Sequence, residues 1–273
     1  MEITSKSITD KCYKSLSIQV ALDGLSFCSR NTLSNEIITF KKIDFNSYPS
    51  SFSIENALWK TLLDHKELTS IYDEIVVLHE NNLNTFVPSA LFDEEYKGSY
   101  LQYNTKVFET DFFTFDTLKK QEMVNVYVPY VNITNYLIDQ YGTFEYHHYS
   151  SILVTKLLER TKNDESQQMF VHVASSHFEI VVIQNQKLLL YNSFEYQNAE
   201  DFIYYILFTA EQLHLNPESF KLHLLGDCSI ESLLYQKAYQ YVRNTSLLDV
   251  SELQKTNSFS EQENRTHFIL FSS

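Results

Sequence analysis

Alternating apolar and polar positions predict three strands at the start of the chain. Residues 17–22 have the two-residue period of a strand that is buried on one face. The dipeptide Asp23-Gly24 then favours a tight turn. Two further strands are predicted at residues 25–29 and 36–45. The chain therefore opens as a three-stranded meander.

The period then changes to that of a helix. Apolar residues recur every fourth position from Ile54 to Leu62, so we predict a helix that opens at Ser53 or Glu55. The apolar run at residues 74–79 predicts a fourth strand. Further along, the pattern predicts a strand, a helix closed by Gly142, a short strand and a second helix, at residues 123–128, 131–140, 144–148 and 151–160.

The opening pattern recurs in the second part of the chain. Strands and helices are predicted at residues 170–174, 177–184, 187–192, 198–213, 220–225 and 230–242, the first of the two helices being capped by Asn198. The order strand–strand–strand–helix–strand–helix thus occurs twice, starting about 152 residues apart. Residues 160–168 between the copies contain no apolar side chain. We predict two domains, residues 1–162 with an insertion at about 85–118, and residues 163–273.

A duplicated meander with helical crossovers resembles the ribonuclease H-like unit, and two in tandem resemble the actin, Hsp70 and sugar-kinase architecture. The stretch MVNVYVPYVNITNYLIDQYGTFEYHHYSSILVTKLL, residues 123–158, is similar to the segment that links the two halves of Hsp70-type proteins. The whole chain, and SLSIQVALDGLSFCSRN most of all, resembles the bacterial family DUF3822, of unknown function. The resemblance implies an α/β fold with mixed sheets, that of the actin-like ATPases. It supplies no established catalytic residues that could be carried over, so the function stays open.

Charge and cysteine content narrow the functional classes. The net charge of −14 argues against nucleic acid and anionic membranes, because both are bound mainly through Lys and Arg. No apolar run of about 18 residues exists that could span a bilayer, and the N-terminus lacks the apolar core of a signal peptide. Three widely spaced cysteines favour reduced thiols. We expect a cytoplasmic protein.

The resemblance to actin-like ATPases implies a nucleotide cleft, whose loops need glycines so that backbone N–H groups approach phosphate. The chain has only four glycines. The candidate cleft residues are Asp23, Gly24 and Ser26 in the first half and Ser175, Ser176 and Gly226 in the second. The second-half turn, Val173 to His177, lacks both carboxylate and glycine, and we expect the His177 ring to lie in the path of the phosphates. Asp227 would repel phosphate.

These features predict a degenerate cleft that does not hydrolyse ATP and needs no cofactor. The alternative is an ATP/Mg-binding protein that uses Asp23 and Gly226. A third interpretation, a ribonuclease H-like nuclease, requires Asp23, Glu55 and Glu80 to converge on metal ions. The histidine pairs 147/148 and 172/177 are interpreted as structural.

Aromatic residues suggest a different role. The stretch DFFTFDTL at residues 111–118 has no element of the repeat to pack on, so Phe112, Phe113 and Phe115 are candidates for a protein-contact site. Aromatics spaced at three or four residues in 92–103 predict a helix. We therefore favour a protein-binding or scaffold module with a protein partner, and leave a homodimer open.

Overall fold

The computed structural model describes residues 11–49, 52–108 and 110–273. Residues 1–10, on which part of the signal-peptide prediction rests, lie outside the described residues. The elements of the first half are β1 (Lys14–Val20), β2 (Gly24–Asn31), β3 (Ile37–Asp44), α1 (Ile54–Asp64), β4 (Glu74–His79), β5 (Asn84–Pro88), α2 (Lys97–Leu101), β6 (Thr114–Leu118), β7 (Met123–Tyr127), α3 (Val131–Tyr141), β8 (Glu145–His148) and α4 (Tyr149–Arg160).

The second half repeats this order without β5, α2, β6 and β7, and it adds a terminal helical segment. Its elements are β9 (Gln168–Val173), β10 (His177–Gln184), β11 (Lys187–Glu195), α5 (Ala199–Gln212), β12 (Lys221–Gly226), α6 (Leu233–Tyr241), β13 (Asn244–Leu247), α7 (Ser251–Gln254), α8 (Glu261–Thr266) and α9 (Phe268–Ser272). The polar stretch 160–168 coincides with the loop between α4 and β9.

Two five-stranded mixed sheets have the same strand order. The first runs β3-β2-β1-β4-β8 and the second β11-β10-β9-β12-β13. In each, a three-stranded antiparallel meander continues into two parallel strands. The duplication predicted from the sequence is therefore present in the topology, and the predicted α/β fold class with mixed sheets is confirmed.

The predicted insertion at about 85–118 contributes β5 and β6 to a small separate sheet, ordered β5-β7-β6, whose central strand β7 lies just after it. The expectation that residues 111–118 belong to no element was wrong, because Thr114–Leu118 pairs with β7. The predicted helix over 92–103 was too long, since only Lys97–Leu101 is α-helical, after a 3₁₀ turn at Glu94–Tyr96. Of the aromatics there, Phe92 and Tyr100 pack on the core of β5 and β7, where Leu101 is fully buried, whereas Tyr96 and Tyr103 are exposed.

Helix α4 joins the two halves through a shared apolar core. Leu153 and Leu157 of α4 pack with Leu78 of the first sheet and with Phe170 and Val181 of the second. The C-terminal segment then returns to the first half. The side chains that pack together there are Cys28 and Phe40 of the first sheet and Phe259, Leu270 and Phe271 of the C-terminal segment. Within the described part of the chain, no helix is long and apolar enough to cross a membrane.

Candidate functional site

A cleft of about 260 Å³ lies where the first hairpin of each half meets the C-terminal segment. It brings together four of the residues predicted from the sequence, Asp23, Gly24, Ser26 and Ser175. The other two, Ser176 and Gly226, are not among its lining residues. The remaining lining residues are Gln19, Ala21, Leu25, Lys42, Ile43, Asp44, Glu80, His172, Val173, Ala174, Asp227, Thr266, His267 and Ile269.

Gly24 is required by the packing of its own sheet. A Cβ atom built on Gly24 would lie 2.7 Å from the carbonyl oxygen of Ile43, on the neighbouring strand. The turn is closed by the Ala21 N–H, which donates to the Gly24 carbonyl at 2.9 Å. The Phe45 N–H donates to the Asp23 carbonyl at 2.8 Å. The turn geometry therefore explains the glycine at position 24 without a ligand.

Gly226 has a similar explanation at the end of β12. Its φ is +86°, and an added Cβ would overlap the carbonyl oxygen of Val173 on β9. The next N–H, that of Asp227, donates to the same Val173 oxygen at 2.7 Å. Only glycine permits this close strand approach. The backbone N–H of Asp227 is therefore engaged within the protein.

The turn at residues 174–177 closes the second hairpin. The Ala174 N–H donates to the His177 carbonyl at 2.9 Å, and the Tyr196 hydroxyl donates to the Ala174 carbonyl at 2.9 Å. The expectation that His177 lies in the path of the phosphates was wrong. Its ring turns to Glu179, with Nε2 3.0 Å from Oε1, and does not line the cleft.

Glu179 is the residue that sequence reasoning missed. It is fully buried on β10, directly opposite His172 of β9, whose Nδ1 lies 2.7 Å from its carboxylate. His177 is its second partner, and the Tyr149 hydroxyl at the start of α4 donates to it. The only sequence signal was a carboxylate inside the apolar run HFEIVVIQ. Because such carboxylates need partners, this signal indicates a buried polar cluster.

The cluster shifts two pKa values in opposite directions. Burial opposes ionisation of Glu179, but hydrogen bonds from His172 and His177 outweigh it and hold its pKa well below the usual range. Burial also opposes protonation of His177. There the contact with Glu179, aided by the charges of Glu80 and Asp23, raises the pKa above its ordinary value. The contact between Glu179 and His177 therefore favours the ionised form of the carboxylate and the protonated form of the imidazole.

The other histidine pair belongs to a buried network around Asp116 on β6. The carboxylate accepts from the His148 N–H at 2.8 Å and from the Ser151 hydroxyl at 2.5 Å. His147 Nδ1 lies 3.0 Å away. Burial lowers the pKa of His148 to about 3, so its ring stays neutral. This network fixes the junction of β6, β8 and α4.

The carboxylates of the nuclease interpretation do not converge. Asp23 and Glu80 line the cleft, whereas Glu55 lines a separate groove. Among the described residues, no group of three or more His, Cys, Asp or Glu side chains is placed to hold a metal ion.

That separate groove, about 470 Å³ in volume, contains Phe112. Of the three candidate aromatics, only Phe112 lines it, with 55% of its surface exposed. Phe113 packs on Gly98, and Phe115 packs against Phe92 at a ring-centroid distance of 4.9 Å. The other lining residues are Leu22, Ile54, Glu55, Thr110, Asp111, Val128, Pro129, Tyr130, Val131, Asn132 and Ile133. We call this the Phe112 groove.

Comparisons with known proteins identify the fold. The family model for "Protein of unknown function (DUF3822)" matches residues 4–245. A crystal structure from Bacteroides thetaiotaomicron, of a protein with actin-like ATPase fold and unknown function, is similar at 23% identity and a TM-score of 0.82, covering 97% of this chain and 98% of that chain. No curated protein matches.

A second solved structure shares the fold at lower similarity. A chain of the PilM-PilN type IV pilus biogenesis complex is similar at 11% identity and a TM-score of 0.62, with 94% of this chain and 96% of that chain covered. At such identities the comparison shows the fold alone. The two five-stranded sheets are the two halves of an actin-like ATPase fold.

Proposed function

The chain belongs to the DUF3822 family of proteins of unknown function, and we propose that it is a protein-binding module whose cleft does not hydrolyse ATP. The observation that carries the proposal is the state of the cleft backbone. Gly24 and Gly226 are both needed for strand packing, and the Asp227 N–H is bonded to Val173. Hydrolysis in this fold needs N–H groups turned to phosphate and carboxylates that hold Mg²⁺.

The alternative, Mg-ATP binding through Asp23 and Gly226, has two features in its favour, and the first is that the His177 ring turns to Glu179 and does not line the cleft. The second is that Asp23, Ser26 and Ser175 line a single cleft. Gly226 does not line it, and the second-half turn contributes a serine where a carboxylate would hold metal. We therefore rank this alternative second.

The Phe112 groove is the proposed protein-binding surface. Leu22, Phe112 and Val131 are 57%, 55% and 39% exposed, which is unusual for three large apolar side chains that share one concave surface. Glu55 and Asp111 are its charged lining residues, and no Lys or Arg is among the lining. A segment with apolar anchors beside Lys or Arg would match this surface in shape and charge.

The fold is compatible with such a role. A chain of the same fold occurs in the PilM-PilN type IV pilus biogenesis complex. We propose that the protein acts in the cytoplasm, where three unpaired cysteines would stay reduced. The partner is a protein that presents a basic, apolar segment.

A displayed library of random peptides tests this proposal. Enriched peptides should combine aromatic or aliphatic residues with Lys or Arg, and fluorescence anisotropy should show their affinity falling about tenfold or more in Phe112→Ala, as for an interface anchor. Tyr103→Ala is the matched control, because Tyr103 is 84% exposed in the same insertion and lies outside the groove. Enrichment of acidic peptides, or equal affinity of wild type and Phe112→Ala, would refute the proposal.

A further inference from the structure

Two buried polar atoms without a hydrogen-bond partner lie where the two halves meet. One is Oδ1 of Asn84, on β5 of the first half, and the other is the hydroxyl of Tyr191, on β11 of the second half. Asn84 is only 7% exposed, and no group among the described residues bonds to either atom. Buried polar atoms are almost always hydrogen-bonded, because an unpaired one has lost its contacts with water and gained nothing in return. Each atom therefore indicates a partner other than a protein group.

The two atoms face the same small space. Phe86 lies two residues after Asn84 and so on the same face of β5, and its ring contacts that of Tyr191 at a centroid distance of 5.0 Å. Asn84 also contacts the start of α4, since its Nδ2 donates to the Ser150 hydroxyl at 2.9 Å. Burial raises the pKa of the Tyr191 hydroxyl, and the nearby side chains of Ser150, Tyr149 and Asn84 lower it in part. The space thus lies between β5, β11 and the start of α4.

The Asp116 network fixes which way the Asn84 amide points. The Ser151 hydroxyl donates to the Asp116 carboxylate at 2.5 Å, so its oxygen accepts from Nδ2 of Asn125 at 2.8 Å. Asn125 must then present its Oδ1 to Asn84, whose Nδ2 donates to it at 3.0 Å. A flipped Asn84 amide would place two carbonyl oxygens against each other. Oδ1 of Asn84 therefore points away from Asn125 and is a fixed acceptor.

From this arrangement we infer that one buried water molecule joins the two halves by bridging Asn84 and Tyr191. Water both donates and accepts, so it can accept from the Tyr191 hydroxyl and donate to Oδ1 of Asn84. Its second proton can reach the oxygen of Tyr149, whose own proton goes to Glu179. About three hydrogen bonds are typical of a buried water. The water then connects Glu179, next to the cleft, with the network around Asp116, and it is independent of the Phe112 groove.

A high-resolution crystal structure of the full chain tests the inference directly. It should show one ordered water within about 3.2 Å of both Oδ1 of Asn84 and the Tyr191 hydroxyl. In a crystal of Tyr191→Phe the same water should be displaced or disordered, because it has lost the group that donates to it. A direct hydrogen bond between Tyr191 and Asn84, or a space without electron density between them, would overturn the inference.

Urea unfolding of Tyr191→Phe is the test in solution, because this change removes the hydroxyl and keeps the ring that packs on Phe86. It should raise the equilibrium constant of unfolding about fivefold or more, the usual effect of losing one buried hydrogen bond. Tyr141→Phe is the matched control. The Tyr141 hydroxyl is also buried without a partner among the described residues, but it packs in the core of the first half, so its loss should not destabilise the fold. Unchanged stability of Tyr191→Phe, or equal losses in both variants, would overturn the inference.

Discussion

At the scale of single residues, the glycines show how a binding motif and a packing requirement can share one sequence. Asp23-Gly24 and Gly226-Asp227 stand where an actin-like ATPase would be expected to carry nucleotide loops. Yet Gly24 is needed because β3 passes close by, and Gly226 because β9 does. The sequence of a dipeptide does not show whether nucleotide binding or strand packing requires the glycine. The backbone atoms that an added Cβ would contact show that strand packing requires it.

Gly226→Ala should therefore destabilise the fold more than Gly142→Ala does. Both glycines have positive φ, but a Cβ meets nothing within 4 Å at Gly142 and overlaps Val173 at Gly226. Overpacking adds about 1–3 kcal/mol to the strain that both variants share. Urea unfolding of the two variants measures the difference. Equal losses would mean that the end of β12 can move away from β9.

At the scale of elements, period and capping predicted most of the two repeats. Strands with one buried face have a strict alternation, and the predicted cap Asn198 does accept from the Asp201 N–H. Helix α3 ends at Gly142 as predicted. Strand alternation and helix caps depend only on residues that are close in the chain, so they can be predicted from the sequence.

The insertion and the C-terminal segment were harder to predict because their order depends on distant contacts. Helices α7 to α9 are four to six residues long, too short for a clear period, and α9 is held by packing on β2.

The cluster beneath the cleft was also hard to predict, because its contacts join residues from different elements. The pattern showed that Glu179 lies in an apolar strand, but two of its three partners, Tyr149 and His172, lie on other elements.

Phe271→Ala tests the role of the C-terminal segment. Phe271 is 1% exposed and packs with Phe40 and Phe259, and Arg30 donates to its carbonyl oxygen at 2.8 Å. Loss of a buried phenyl ring costs about 3–5 kcal/mol. Phe108→Ala is the control, since Phe108 is 59% exposed and should change stability by less than about 0.5 kcal/mol. Similar denaturation midpoints for both variants would contradict this role.

At the scale of the whole molecule, histidines make stability depend on pH. Burial is the main cause that lowers the pKa of four of them, His79, His223 and His267 to about 4 and His148 to about 3. Unfolded histidine binds a proton near pH 6.5, so between pH 6.5 and 4 the unfolded state binds more protons at these four positions. The free energy of unfolding must then fall as the pH falls.

Two histidines oppose this trend. The pKa of His147 is raised by its bond to Asp116, and that of His177 is raised chiefly by Glu179 despite burial. These two histidines contribute their full stabilisation to the folded state below pH 6.5. That stabilisation is lost as the pH rises through their pKa values in the folded protein. Because the pKa of Glu179 is lowered in the folded protein, Glu179 stabilises the fold above about pH 4.5, and this stabilisation is lost only at lower pH.

With four histidines against two, we predict that the free energy of unfolding falls by at least about 2 kcal/mol between pH 7 and pH 5. Urea denaturation at the two pH values measures it. Constant or rising stability on acidification would mean that the buried histidines become protonated without unfolding.

We propose that this actin-like protein works without nucleotide, and titration of Mg-ATP into the purified protein and into Asp23→Asn is the decisive experiment. We expect no binding tighter than about 1 mM in either protein, because the cleft is acidic and the N–H groups of Ala174 and Asp227 are engaged. Micromolar binding that Asp23→Asn abolishes would contradict it and make Asp23 a metal anchor.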